Sequence, residues 1–165
     1  MTIQTDLLTD LTDTYGDVIY RETSEGNHRY KFNFDYTSNP MLLSVDYLAQ
    51  ASKITIALSF INDYNSLVKD DDKAHKILMY LDVFYAEPRV EVSDGKLIVW
   101  EDYAFTSSTF NIEDFSNRLE TIEKMAIEVN DMISTDDFYE DTYQDALYSG
   151  TIFEEKFKDD AFLDK

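Results

Sequence analysis

The chain has 165 residues, 44% of them hydrophobic, enough for one domain with its own core, and its 34 acidic against 14 basic residues leave a formal charge of −20. Such a field repels polyanions, which disfavours direct binding to nucleic acid or an anionic membrane and favours attraction to a basic protein surface. There is no cysteine, which excludes disulfides, thiolate nucleophiles and cysteine-ligated metals and fits a cytoplasmic protein.

The first residues, Met1 to Asp6, have neither a basic nor an apolar region of the kind a secretory signal needs. The longest apolar runs are strand-sized, so no membrane span is expected. Ile3, Leu7, Leu8, Leu11 and Tyr15 recur at helical spacing and predict a short amphipathic helix that stops at Gly16. Residues 17–23 read as a strand, and Ser24-Glu25-Gly26-Asn27 as the turn of a hairpin. Across 28–36, Tyr30, Phe32, Phe34 and Tyr36 alternate with Arg29, Lys31, Asn33 and Asp35, the pattern of a half-buried antiparallel strand.

Thr37-Ser38-Asn39-Pro40 breaks the alternation, and strands resume over 42–48 and 54–60, separated by a weak turn at 49–52. From 65 to 85 the period becomes helical, with Ala74, Ile77, Leu78, Leu81 and Phe84 on one face and Pro88 as terminator. Residues 89–92 and 96–105 are strands around Asp94-Gly95, a dipeptide suited to a turn with positive φ at both central positions. Asn111 is placed to cap the next helix, with Phe110 and Phe115 at staple positions. Ile112, Phe115, Leu119, Ile122, Ala126, Val129 and Ile133 form its apolar seam, fit to pack on the domain's own sheet or on a second copy.

These elements predict an α+β fold, a mainly antiparallel sheet packed by helices in the order α-β-β-β(-β)-α-β-β-α. Residues 1–134 form the expected domain, followed by an acidic, aromatic-rich segment at 135–165. That segment carries ten acidic residues against three lysines, interleaved with Phe138, Tyr139, Tyr143, Tyr148, Phe153, Phe157 and Phe162. Disordered tails are poor in aromatics, so it reads as a packed flank or as a docking arm. In the second case Asp136, Asp137, Phe138, Tyr139, Glu140, Asp141, Tyr143 and Asp145 are the expected partner-binding residues, rings supplying contact area and carboxylates supplying register.

From His75 to Ile133 the chain, through PRVEVSDGKLIVWEDYAF and NIEDFSNRLETIEKMAIEVNDMI, resembles the YbjN and type III secretion chaperone-like family. The resemblance implies a small acidic protein that binds other proteins without catalysis. It further implies a dimer, or an extended client segment held across a sheet edge or groove. The strand at 42–48 and the segment after 134 depart from the family's pattern.

Motifs for chemistry are sparse. His28 and His75 read as ordinary surface or boundary residues, and no HExxH sequence is present. The four glycines are too far apart to cradle a phosphate, so no cofactor is expected. Asp70-Asp71-Asp72 lacks the glycine and terminal glutamate of a calcium loop and reads as a helix start. Asp82 with Asp94-Gly95-Lys96 imitates a nuclease pattern that the hairpin turn already explains. An enzyme of unrecognised type has nothing positive in the sequence to support it, which leaves two readings ahead of it. One is a non-catalytic, chaperone-like or regulatory module that docks on a basic protein surface. The other is an inhibitor that mimics nucleic acid and blocks a DNA- or RNA-processing enzyme, as phage anti-restriction and anti-CRISPR proteins do.

Overall fold

The Thr2 side chain accepts a hydrogen bond from the Thr5 amide and so opens the first helix, α1 (Ile3–Tyr15), which ends where Gly16 takes up φ +85 and returns its amide to Thr12. The computed structural model that shows this describes residues 2–84, 88–106 and 108–134. Strands β1 (Tyr20–Ser24), β2 (Asn27–Phe34), β3 (Met41–Leu48) and β4 (Lys53–Phe60) follow, each antiparallel to the one before. The short α2 (Tyr64–Leu67) and the longer α3 (Asp71–Phe84) lead to the hairpin of β5 (Arg89–Ser93) and β6 (Lys96–Ala104). The long α4 (Ile112–Ser134) closes the described chain. The strands form one antiparallel sheet in the order β1-β2-β3-β4-β6-β5, so β6 returns to pair with β4. The fold is α+β, as the alternation of periods predicts.

Register explains why the sheet has a single apolar face. Phe32, Leu43, Leu58 and Val99 lie in line across four strands, with Tyr30, Val45 and Ile56 beside them, and all are buried. The period of two sends every other residue to the opposite face. Helix α4 lays Phe115, Leu119, Ile122, Ala126, Val129 and Ile133 against β4 and β6. Burial of such side chains contributes about 1.5–3 kcal/mol each before conformational entropy is deducted. The seam is therefore occupied by the chain's own sheet and is not a free surface for a second copy. Asn111 caps the helix as expected, its Oδ1 accepting from the Glu113 amide at 2.7 Å.

Three boundaries differ from the sequence reading. The first strand begins at Tyr20 rather than Asp17, and Ile19 is exposed. Tyr36 does not join the buried face, because β2 ends where Phe34 pairs with Met41 and the chain turns away; its ring stands 58% exposed, edge-on to Phe34. The helix expected at 65–85 is two. Asp70 interrupts it, its Oδ1 accepting from the amides of Asp72 and Lys73 as the cap of α3. Tyr64 joins the pieces by donating its buried hydroxyl to the Ala74 carbonyl at 2.7 Å.

Asn130 is the one buried polar side chain among the described residues, on the packed side of α4. Its Oδ1 accepts from the backbone and side-chain amides of Asn39, and its Nδ2 donates to Ser38 Oγ. It therefore pins the β2–β3 connection to the helix. Removing such a partner leaves amides unsatisfied, at about 1–3 kcal/mol. Asn130→Ala should lower the midpoint of urea unfolding by that amount, and Asn130→Leu should not restore it, because volume is not what is lost.

Candidate functional site

The structure sorts the charge between two surfaces. Asp6, Asp10 and Asp13 recur along α1 away from the buried Leu7 and Leu11, and no basic residue lies in that helix. Helix α4 exposes Glu113, Asp114, Glu120, Glu128 and Asp131, relieved by Arg118 and Lys124. The two helices touch. Ser116 donates to Asp10 at 3.1 Å, and Tyr15 donates to Glu123 at 2.6 Å. Their acids thus make one continuous surface on the helical layer. Helices α1, α3 and α4 carry Asp13, Asp82 and Asp131 in their last turns and no basic residue there. A carboxylate at the negative end of a helix opposes the dipole, so this placement works against helix stability.

The other surface is the second face of the sheet, which no helix among the described residues covers. One row of cross-strand partners crosses all six strands: Tyr20, Lys31, Ser44, Ala57, Trp100 and Arg89. Lys31 lies over the Tyr20 ring at one end (5.3 Å) and Arg89 over the Trp100 ring at the other (5.6 Å). Between them the floor is small, with Ser44 and Ala57 in this row and Ser59 in the next. At the usual strand spacing the gap from β2 to β6 is roughly 14 Å. The result is a trough with a cation on an aromatic ring as each wall. Depressions of about 140 and 310 Å³ flank it, one lined by Glu22, Asn27, Arg29 and Asp46, the other by Arg89, Trp100 and Asp102.

This face is not acidic. It gathers Arg29, Lys31, Lys53, Arg89 and Lys96 against Glu22, Asp46, Glu91 and Asp102, in a chain of −20. Arg29 pairs with Asp46 at 3.0 Å, Lys53 with Asp102 at 3.5 Å and Lys96 with Asp63 at 2.8 Å. Lys31 and Arg89 form no ion pair among the described residues.

The expected partner-binding residues, Asp136 to Asp145, lie outside the described residues. His28 stacks on Tyr30 and Tyr47 at the margin of the core, and His75 is exposed on α3. Asp70 is a helix cap, and Asp94 sits at φ 52 beside Gly95 at φ 80 in the β5–β6 turn. No group of three or more His, Cys, Asp or Glu side chains among the described residues is placed to hold a metal ion. No helix among them is long and apolar enough to cross a membrane. Sequence reasoning missed the trough. Its signal was the set of small residues, Ser44, Ala57 and Ser59, at the off-phase positions of two adjacent strands. Comparison with family models, curated proteins and solved structures found no match.

Where α1 meets α4, burial pushes the Glu123 carboxyl above the usual carboxylate range, opposed by the Tyr15 hydrogen bond and reinforced by Glu120. Burial chiefly, and then Glu123 itself, raises the Tyr15 phenol. A carboxyl whose folded pKa exceeds its unfolded value binds its proton more tightly when folded, so stability rises as pH falls through the raised value toward 4.5. Mild acid and moderate salt should both raise the melting temperature, the salt by screening. Glu123→Gln should flatten part of the acid response. Tyr15→Phe should cost about 1–2 kcal/mol at neutral pH, with the loss shrinking in mild acid. Thermal melts across pH and ionic strength check both.

Proposed function

We propose that the chain is a non-catalytic, acidic protein-binding module that docks on a basic surface of a protein partner. The observation that supports this most is the excess of acid on the helical layer, with Asp13, Asp82 and Asp131 at helix C-termini where they weaken the fold and α1 and α4 joined through Ser116 and Asp10. Charge held against stability is charge with another use. Opposite charge on a partner would speed the encounter and set its register, while the aromatic, acidic residues from 136 to 145 would extend the same attraction. The element order supports the chaperone-like variant of this reading, as a fold resemblance and no more.

The test is capture of partners by the full chain from its native host at two salt concentrations, beside a variant carrying Asp13→Asn, Glu113→Gln, Glu120→Gln and Asp131→Asn. Its melting temperature should stay close to the parent's, since Asp13→Asn and Asp131→Asn relieve helix C-termini while Glu113→Gln and Glu120→Gln give up a favourable N-terminal charge and the pair with Lys124. It should bind its partner more weakly, with a shallower dependence on salt. Capture of a client segment that survives high salt supports the chaperone-like role. Salt-released capture and inhibition of a DNA- or RNA-processing enzyme supports nucleic-acid mimicry instead. Undiminished binding by the variant overturns the acidic helical layer as the docking surface.

A further inference from the structure

We propose that the outer edge of β1 accepts an extended, basic segment of a protein partner as an added antiparallel strand. The inference rests on the reading of the chain as a protein-binding module, and it concerns a sheet edge rather than the acidic helices.

The first observation is that β1 adds nothing to the core. It is an end strand of the sheet, and each of its five residues is exposed. Helix α3 packs on β5, the opposite edge, whereas α1 packs on β2. A tight turn nevertheless holds β1 in register, with Glu25 at φ 53 and Gly26 at φ 84. Ser24 and Asn27 close that turn, and antiparallel pairing alternates from there. Ser24, Glu22 and Tyr20 therefore bond to β2, while the backbone N–H and C=O of Arg21 and Thr23 point away from the sheet. Nothing among the described residues bonds to these outward groups.

The second observation is the charge of this edge. Between residues 17 and 25, Asp17, Glu22 and Glu25 stand against Arg21 alone. One row of cross-strand partners reads Asp46, Arg29, Glu22, its sign alternating strand by strand until it stops at the edge on a carboxylate. Arg29 already answers Asp46 at 3.0 Å. An added strand would meet Glu22 at a position without backbone bonds, where facing side chains come closest, and a Lys or Arg there continues the alternation. A depression of about 140 Å³ lies alongside, lined by Glu22, Ser24, Asn27 and Asp46, and gives a long basic side chain room.

The third is apolar surface. Ile19 and Tyr20, at the start of the strand, are 51% and 42% exposed and offer contact area to an added segment. The charged residues of the edge discourage indiscriminate pairing and admit a segment of opposite sign. A second copy fits less well. It brings a charge of −20, and pairing through the middle of β1 sets Glu22 against Glu22.

The probe is a synthetic peptide of alternating lysine and valine, titrated into the full-length, isotope-labelled chain. The amide resonances of Arg21 and Thr23 should shift and their hydrogen exchange should slow, while a glutamate–valine peptide leaves them unchanged. Thr23→Pro removes an outward N–H and, toward β2, only the exposed contact of the Thr23 hydroxyl with His28, so it should abolish both effects in a chain that stays folded. Glu22→Lys should weaken the lysine–valine peptide about tenfold, and it decides alone if Thr23→Pro disturbs β2 in the free protein. Shifts confined to α1 and α4 overturn the edge site and leave the acidic helical layer as the docking surface. No binding, or binding that neither substitution weakens, overturns the proposal. Pairing of the free chain with itself through β1 overturns it in favour of a dimer.

Discussion

Everything in this molecule depends on the sheet having one apolar face. Four neighbouring strands, β2, β3, β4 and β6, alternate in phase, so that Tyr30, Phe32, Leu43, Val45, Ile56, Leu58 and Val99 all point to the helical side. The hydrophobic effect then has a single layer to build, and α1, α3 and α4 contribute to it. A register slip of one residue in any of these strands would turn its whole apolar set to the open face, which gives the core its authority over the topology. The Tyr30 hydroxyl is buried with no hydrogen-bond partner among the described residues, but charged groups at the core are answered. Glu101, in line with Ile56 on the packed side, is met by Arg118 of α4, whose guanidinium also covers the Tyr103 ring at 5.0 Å.

Because the core is one-sided, the two outer surfaces are free to differ, and they do. The helices bring an acid-rich exterior, the sheet a mixed one with small residues at its centre. Neither surface is dictated by folding. A layer that needed only solubility would be served by interspersed charges of both signs. Aspartate accumulates where the helix dipoles are already negative, while cations gather on the face away from it.

Much of the fold was legible in the sequence, for identifiable reasons. Strict alternation through Tyr30, Phe32 and Phe34, the Asp94-Gly95 turn, and the 3-and-4 spacing from Phe115 to Ile133 each rest on a geometric period that side chains must obey. The features that were not legible depend on partners distant in sequence. Asn130 stands within the apolar period of α4, four residues after Ala126 and three before Ile133, and its polar role appears only when Ser38 and Asn39 are brought to it. Asp70-Asp71-Asp72 read locally as a helix start, and Asp70 does cap α3; the continuous apolar period from 65 to 85 hid that a separate short helix precedes it. The trough was hidden for another reason: its residues are inconspicuous singly and acquire meaning only when six strands are set side by side. The residues expected to bind a partner, Asp136 to Asp145, lie outside the described residues.

The order β1-β2-β3-β4-β6-β5 has a consequence in time as well as in space. The first four strands are joined in succession and can zip by neighbouring turns, which keeps loop closure short. β4 completes only one of its two edges in this way. The other waits until α2, α3 and the whole β5–β6 hairpin have been made, since its partner is the last strand to emerge. Through that interval, during synthesis or refolding, a strand of the sequence KITIALSF presents unpaired backbone and no covering helix. An open edge of that kind is the usual template for pairing with another chain. The step that seats β6 closes this edge, and until then the charge of −20 on each chain sets one copy against another.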